Sequence, residues 1–310
     1  GRDDAAWIEA EARDKPGGAF ALLALRGEGG DSLAHLACLH GSSRALKALL
    51  DAEARLAETK RGESGQAALG GSLARLSGAS GASPAHVAAL GGHAACLQVL
   101  LDHTPQQVGG GSSPAGRSTR ASLIQAAISP PGAAPVQATA PPLVGPGRPL
   151  TTSTLPPPYA WPSVGAMPLH LAAHAVQKAA GPHALGAFSL LLESGADAAA
   201  RDAWGRTPLH YALGDQRYLL KAPPPRTLGF AAFDYFFGAR GQQARDRQPA
   251  SASAGAFSAV QGGAALEKCV LVLCDALGGS AVLDAQDCFG ASALHLACAL
   301  DSSAAPKCVR

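Results

Sequence analysis

Apolar positions fall at helical spacing in several short stretches of the chain. Leu46, Leu49 and Leu50 form one such stripe, and Cys96, Leu97, Val99, Leu100 and Leu101 form a second. A third stretch, Leu190-Leu191-Leu192-Glu193-Ser194-Gly195-Ala196-Asp197, runs apolar and then stops at glycine. Steps of three and four residues are the period of a helix with one buried face. Ahead of these stripes one short pattern returns five times. It reads S-L-A-H-L-A at Ser32 to Ala37, S-P-A-H-V-A at Ser83 to Ala88, M-P-L-H-L-A at Met167 to Ala172, T-P-L-H-Y-A at Thr207 to Ala212 and S-A-L-H-L-A at Ser292 to Ala297. Each copy has a glycine two residues ahead of it: Gly30, Gly81, Gly165, Gly205 and Gly290.

The pattern makes physical sense as the start of a helix. Glycine permits a tight turn, Ser or Thr caps the first orphan backbone N–H groups, and proline is tolerated at the first helical position. Five returns of one helix start predict a stack of repeated units rather than one closed core. The pattern resembles the T-P-L-H-x-A helix start of the ankyrin repeat, and Leu190 to Asp197 is similar to that family's L-L-x-x-G-A-D helix ending. The resemblance implies an all-α solenoid of helix-turn-helix repeats with hairpin fingers. It also implies that His35, His86, His170, His210 and His295 are structural, bonding backbone around the turn and tying neighbouring repeats.

The spacing of those histidines, at 51, 84, 40 and 85 residues, exceeds the family's period of ~33 residues. Long low-complexity insertions therefore interrupt the solenoid. An N-terminal block spans residues 1–103, with a degenerate helix pair (Ala5 to Arg13, Ala19 to Leu25), two repeats and an insertion over about 56–78. Residues 104–164, rich in Pro, Gly and Ser, read as a linker with one short helix at Ala121 to Ile128. It ends in Leu155-Pro156-Pro157-Pro158-Tyr159-Ala160-Trp161-Pro162, either a passive insertion or a polyproline ligand for an SH3 or WW module. A C-terminal block spans 165–310, with an insertion at about 215–263 and a second helix expected at Ala265 to Leu277. Within that insertion, Phe230 to Phe237 is an aromatic run that either covers the solenoid's side or docks a partner, and Gln242 to Gly255 reads as a mobile polar segment. Pro306 to Arg310 stops where a second helix is expected, so the last repeat reads as truncated and the protein as continuing.

Composition agrees with this picture. The 310 residues are 47% hydrophobic but only 5% aromatic, with 37 glycines and 23 prolines. Such a chain has material to bury, in small side chains that let helices approach closely, and many residues for turns and insertions. A net charge of +2 supplies no basic field for nucleic acid. No apolar run approaches the ~20 residues of a membrane span. The seven cysteines include no C-x-x-C pair and read as reduced core residues, which points to an intracellular, first of all cytoplasmic, protein.

Catalytic and metal chemistry finds little support. No Gly-Lys dipeptide exists to form a phosphate-cradling loop, and no G-x-S-x-G, H-E-x-x-H or calcium-loop pattern occurs. His170 and His174 stand four apart, on one helical face, but lack a third ligand. The expectation is no enzyme, no cofactor and no metal. What remains is binding of protein partners, with no nucleic acid and no membrane insertion. The resemblance implies a scaffold or adaptor that binds through a concave surface of fingers and first helices. Candidate contacts there are Arg201, Trp204, Arg206, Tyr211, Asp287 and Phe289. Trp204 among arginines has the composition of a binding hot spot, the other reading being that it packs on the adjacent finger. Two alternatives stay open: the regulatory region of a larger enzyme or channel, and a structural subunit of a large assembly such as a ciliary axoneme.

Overall fold

Each copy of the recurring pattern opens a helix for a local reason. Ser32, Ser83, Met167 and Thr207 hold extended backbone, with φ between −97° and −80°, immediately before the first helical residue. Three residues on, the imidazole Nδ1 of the motif histidine accepts the N–H of that capping residue, at 3.1 to 3.2 Å in all five copies. Proline fills the first helical position at Pro84, Pro168 and Pro208, where its missing N–H is no loss. The computed structural model describes residues 6, 8, 10, 11, 18–27, 31–64, 73–78, 81–103, 120–128, 165–178, 183–214, 252–278, 282–287 and 291–299.

In chain order the helices are α1 (Gly18–Ala24), α2 (Leu33–Leu39), α3 (Ser43–Ser64), α4 (Pro84–Leu90), α5 (Ala94–Asp102), α6 (Pro168–Gln177), α7 (His183–Glu193), α8 (Pro208–Leu213), α9 (Ala252–Leu277) and α10 (Ala293–Ala299). They form two rows. The motif helices α2, α4, α6, α8 and α10 pack one on the next, and α1, α3, α5, α7 and α9 make the second row. Each motif helix from α2 to α8 also packs on the helix that follows it. This is the helix-pair solenoid that the recurring pattern implies. Among the described residues the only β pairing is two isolated antiparallel bridges, Arg26 with Ser32 and Gln286 with Ser292.

The core explains the composition. Ala34, Ala88, Ala89, Ala172, Ala173 and Ala212 have no exposed surface and let the helix rows close on one another. Leucines fill the space between rows, including Leu46, Leu49, Leu97, Leu100, Leu169 and Leu191. Full burial of each stabilises the fold by about 1.5–3 kcal/mol. Phe188 is among the largest fully buried side chains.

The fingers between helix pairs repeat one hydrogen-bond scheme. In one finger Gly81 N–H donates to the Gly78 carbonyl and Gly78 N–H to the Ala82 carbonyl, at 2.9 Å each. In another, Gly205 donates to Asp202 and Asp202 to Arg206. The third finger has the same scheme with distant partners: Gly165 N–H donates to the Ile128 carbonyl at 2.8 Å, and Ile128 N–H to the Ala166 carbonyl at 2.9 Å. Two residues separate the bonded pair in the other fingers, whereas 36 (129–164) separate Ile128 from Gly165. The insertion therefore leaves the solenoid at the tip of a finger, and its ends are held together by the finger's own bonds. At its base Gly165, with φ +79°, lies so close to the next finger that a Cβ would stand 2.6 Å from the Ala203 nitrogen.

This placement revises three readings of the sequence. Part of the stretch assigned to the linker lies inside the stack: Leu123, Ile124 and Ile128 are buried, residues 120–124 are helical, and α4 packs directly on α6 as α5 does on α7. The insertion assigned to 56–78 begins as helix, because α3 continues to Ser64, and it ends with Leu73 and Ala74 back in the core. There Leu73 N–H donates to Glu53 Oε1 at 2.9 Å. The second helix expected from Ala265 starts at Ala252, within the segment read as mobile. Its many alanines favour helix over the loop that its serines and glycines indicate. In the degenerate first pair Ile8 and Leu22 are buried. The polyproline stretch, the aromatic run Phe230 to Phe237 and the C-terminal Pro306 to Arg310 lie outside the described residues.

Candidate interaction surface

The five motif histidines have one local geometry. Nδ1 takes the cap N–H and, where the cap is Ser or Thr, also faces its hydroxyl at 2.7 to 2.9 Å. That leaves the ring proton on Nε2, which donates forward to the next repeat. His35 reaches the Ala82 carbonyl at 3.0 Å, His86 reaches Ala166 at 3.1 Å, His170 reaches Arg206 at 3.2 Å and His210 reaches Ala291 at 3.1 Å. The same four carbonyls accept the finger N–H groups of Gly78, Ile128, Asp202 and Asp287. Each finger is thus bonded to itself and to the helix behind it, and the ladder crosses both long insertions without a break.

Burial lowers the pKa of His35, His86, His170 and His210 and so favours their neutral form. Desolvation lowers the pKa of His86 to about 4 against the opposing pull of the Ala166 carbonyl. It lowers His170 to about 4 as well, although Asp202 pulls the other way. His174 lies lower still, at about 3, through burial and then the Lys178 charge. His170 has one nitrogen on the Met167 N–H and the other on the Arg206 carbonyl, so it has no lone pair to offer a metal. No three His, Cys, Asp or Glu side chains are grouped to hold a metal among the described residues.

His295 makes the local bonds of the motif but stands exposed. His86→Ala should destabilise the fold by roughly 2–4 kcal/mol, because it strands the buried Ser83 N–H, removes one of the two bonds to the Ala166 carbonyl and leaves a cavity. His295→Ala should cost about 1 kcal/mol or less. Urea midpoints of the two variants measure this, and equal losses would show that the forward bond contributes nothing.

The residues expected to meet a partner sit elsewhere than a hairpin tip leads one to expect. Trp204 is 4% exposed, and Arg206, Tyr211 and Asp287 are equally buried, while Arg201 is half-buried. Phe289 lies outside the described residues. Trp204, Arg206 and Tyr211 surround one carboxylate. Asp202 Oδ1 accepts the Trp204 N–H at 2.9 Å and the Arg206 N–H at 2.8 Å. Its Oδ2 accepts Arg206 Nε at 2.7 Å and the Tyr211 hydroxyl at 2.9 Å. The guanidinium carbon stands 5.0 Å from the Tyr211 ring centre and 5.9 Å from that of Trp204, so the cation is boxed by aromatic faces. Tyr211 also meets the His170 ring edge-on at 5.1 Å, joining the network to the ladder. The reading of Trp204, Arg206 and Tyr211 as an exposed contact patch is corrected accordingly: they form the interior of a finger. Asp287 takes the place of Asp202 in the next finger, its Oδ1 accepting the Ala291 N–H at 2.8 Å.

The expected concave row is closed too. Every residue of α4 and α8 is buried, and so is α6 from Pro168 to Val176. Among the described residues the large apolar side chains that remain exposed are Leu25, Leu36, Leu294 at 56%, and on α9 Leu271 at 60% and Val272 at 40%. On α9 the last two share a face with the exposed Lys268 and Asp275, at the three- and four-residue spacing of one helical stripe. Nothing in the amino-acid pattern marks this pair, since Leu271 and Val272 are embedded in the continuous apolar run Cys269 to Cys274. No helix among the described residues is long and apolar enough to cross a membrane.

No protein-family model matches the chain, and none of the curated proteins compared with it does. Among solved structures it is similar to the ankyrin repeat domain of Bcl-3, described as a unique member of the IkappaB protein family. That match has 17% identity, covers 90% of this chain and 70% of the other, and has a TM-score of 0.40. It is also similar to the human ASB11 ankyrin repeat domain, at 19% identity over 97% of this chain and 95% of that one, with a TM-score of 0.33. The helix-pair stack of this chain rests on the five helix starts and the bonds between them.

Proposed function

We propose that the chain is a non-enzymatic protein–protein interaction scaffold or adaptor. One observation carries the reading: the histidines of the repeated motif and the polar groups of the 202–211 finger are committed to holding the stack. Four histidines, Asp202, Arg206 and Tyr211 bond backbone or one another within and between repeats. A framework so rigidly tied, with a long insertion hung from one finger tip, is suited to presenting surface. The partner surface we assign is the face of α9 with Leu271 and Val272 between Lys268 and Asp275, with Arg201 as a further contact. The row of first helices, the initial expectation, is buried in its central part. An apolar centre with a polar rim is the usual make-up of a protein contact.

The test is affinity capture followed by titration of the captured protein. Leu271→Ser combined with Val272→Ser should weaken binding about tenfold or more, equivalent to ~1.4 kcal/mol, with an unchanged melting temperature. Binding unaffected by the double variant removes this surface, and a wild type that binds no protein saturably removes the scaffold reading. Trp204→Ala is a poor probe, because a buried indole couples binding to folding.

A further inference from the structure

The outward side of α9 is complementary to itself. Its inward side, Leu266, Cys269, Val270, Leu273 and Leu277, is buried in the core where α9 packs on α6, α7 and α8. The residues turned outward are Ala264, Lys268, Leu271, Val272, Asp275 and Ala276. Among the described residues α9 is also the last helix of its row. At a turn of about 100° per residue, Lys268 and Asp275 fall on the midline of this strip, with Leu271 to one side and Val272 to the other. The two charges stand about 10 Å apart along the axis, too far to pair with each other. Neither makes an ion pair among the described residues.

Taking α9 as the partner surface assigned above, we propose that its occupant is a second copy of this chain, packed as an antiparallel helix pair about a two-fold axis between Leu271 and Val272. Such an axis exchanges the two ends of the strip. Lys268 of one copy lies opposite Asp275 of the other, Leu271 lies opposite Val272, and each contact occurs twice. A parallel pair would instead set Lys268 against Lys268 and Asp275 against Asp275, and a slip of one helical turn would part each charge from its opposite. The charges therefore fix direction and register, while the apolar pair between them supplies the area taken from water. Ala264 and Ala276 add no bulk that would hold the helices beyond the ~8–10 Å of packed axes. A contact one helix wide falls below the ~1,200 Å² of stable complexes, so the pair forms reversibly as the protein is concentrated.

Sedimentation equilibrium of the purified full chain tests this. The average mass should rise toward two chains with concentration, and less so in high salt. Lys268→Asp alone sets aspartates against each other at both ends of the pair, and Asp275→Lys alone sets lysines. Each should weaken self-association about tenfold, whereas an equimolar mixture of the two variants should pair as tightly as the wild type, because every charge again meets its opposite. Both side chains are exposed, so the variants should keep the wild-type circular dichroism and melting temperature. A wild type that stays monomeric when concentrated, single reversals that associate like the wild type, or a mixture no tighter than its components would each overturn the second copy as occupant. Leu271→Ser with Val272→Ser separates that failure from failure of the surface. If the chain is monomeric and this variant still loses a captured protein, the occupant alone is wrong. If neither assembly nor capture changes, the surface itself is wrong.

Discussion

Asp202→Ala should cost the fold roughly 3–5 kcal/mol, a large share of the stability of a single domain. The loss comes from what the substitution leaves behind more than from the pair it removes. Arg206 stays 3% exposed and loses the carboxylate 2.7 Å from its Nε, Tyr211 loses the Asp202 acceptor of its hydroxyl, and the backbone N–H groups of Trp204 and Arg206 lose their bonds to Oδ1. The carboxylate 2.7 Å away and the Tyr211 ring 5.0 Å from the guanidinium carbon offset the cost of taking this cation out of water. The same reasoning sets a control. Combining Asp202→Ala with Arg206→Met removes the stranded charge and should recover about half of the loss or more, since buried pairs exchange for apolar groups at little net cost. Urea midpoints of the single and double variants close the cycle. A single variant within about 0.5 kcal/mol of wild type would mean that water reaches Arg206 and that the finger is not sealed. A double variant as unstable as the single one would place the loss in the backbone bonds to Oδ1.

The same finger separates what the amino-acid pattern reveals from what it hides. Thr207-Pro208-Leu209-His210 identifies a helix start on its own, because cap, proline and imidazole all act within four residues. Ile128 carries no such mark. It bonds to Gly165 and Ala166 only because two turns of sequence separated by 36 residues return to one finger, and loop closure that long leaves no local trace. Trp204 fails for a different reason. Its neighbours in sequence, Ala203 and Gly205, mark a hairpin tip, and tips are usually exposed. Its burial depends on Arg206 folding back over the ring and on the fingers packing closely, as Gly165 does against Ala203. Asp202 and Arg206, four residues apart with opposite charges, were the available hint of that fold-back. Asp287 repeating the carboxylate at the start of the following finger was a second. Leu271 and Val272 show the limit of an unbroken apolar run, which has no polar positions to mark the side facing out.

Acidification should unfold this protein well before its carboxylates titrate. His86 and His170 have folded-state pKa values of about 4, and His174 about 3, while an unfolded histidine titrates near ~6.5. Above ~6.5 all three are neutral in both states and stability does not depend on them. Below it the unfolded chain takes up protons that the folded chain refuses, so stability falls as pH falls from ~6.5 toward 4, and flattens only once the folded groups protonate too. His35 and His210, lowered by burial in the same way, add to the loss. Asp31 opposes it: burial raises its pKa, so it favours the folded state when protonated, an effect present in acid and lost as pH rises. One half-buried carboxyl does not offset three fully buried imidazoles. With each imidazole contributing on the order of 1–3 kcal/mol, the sum is comparable to the whole stability of a domain. Urea midpoints followed by circular dichroism should therefore hold steady from pH 8 to 7 and fall steeply from 6.5 to 4.5. His174→Leu should reduce that slope by about one proton at pH 5, because the removed group no longer titrates in the unfolded chain while leucine fills much of its place. A midpoint flat between pH 7 and 4.5 would mean that the imidazoles are protonated inside the stack, and the forward bonds from Nε2 would then lack the neutral tautomer on which the ladder is built.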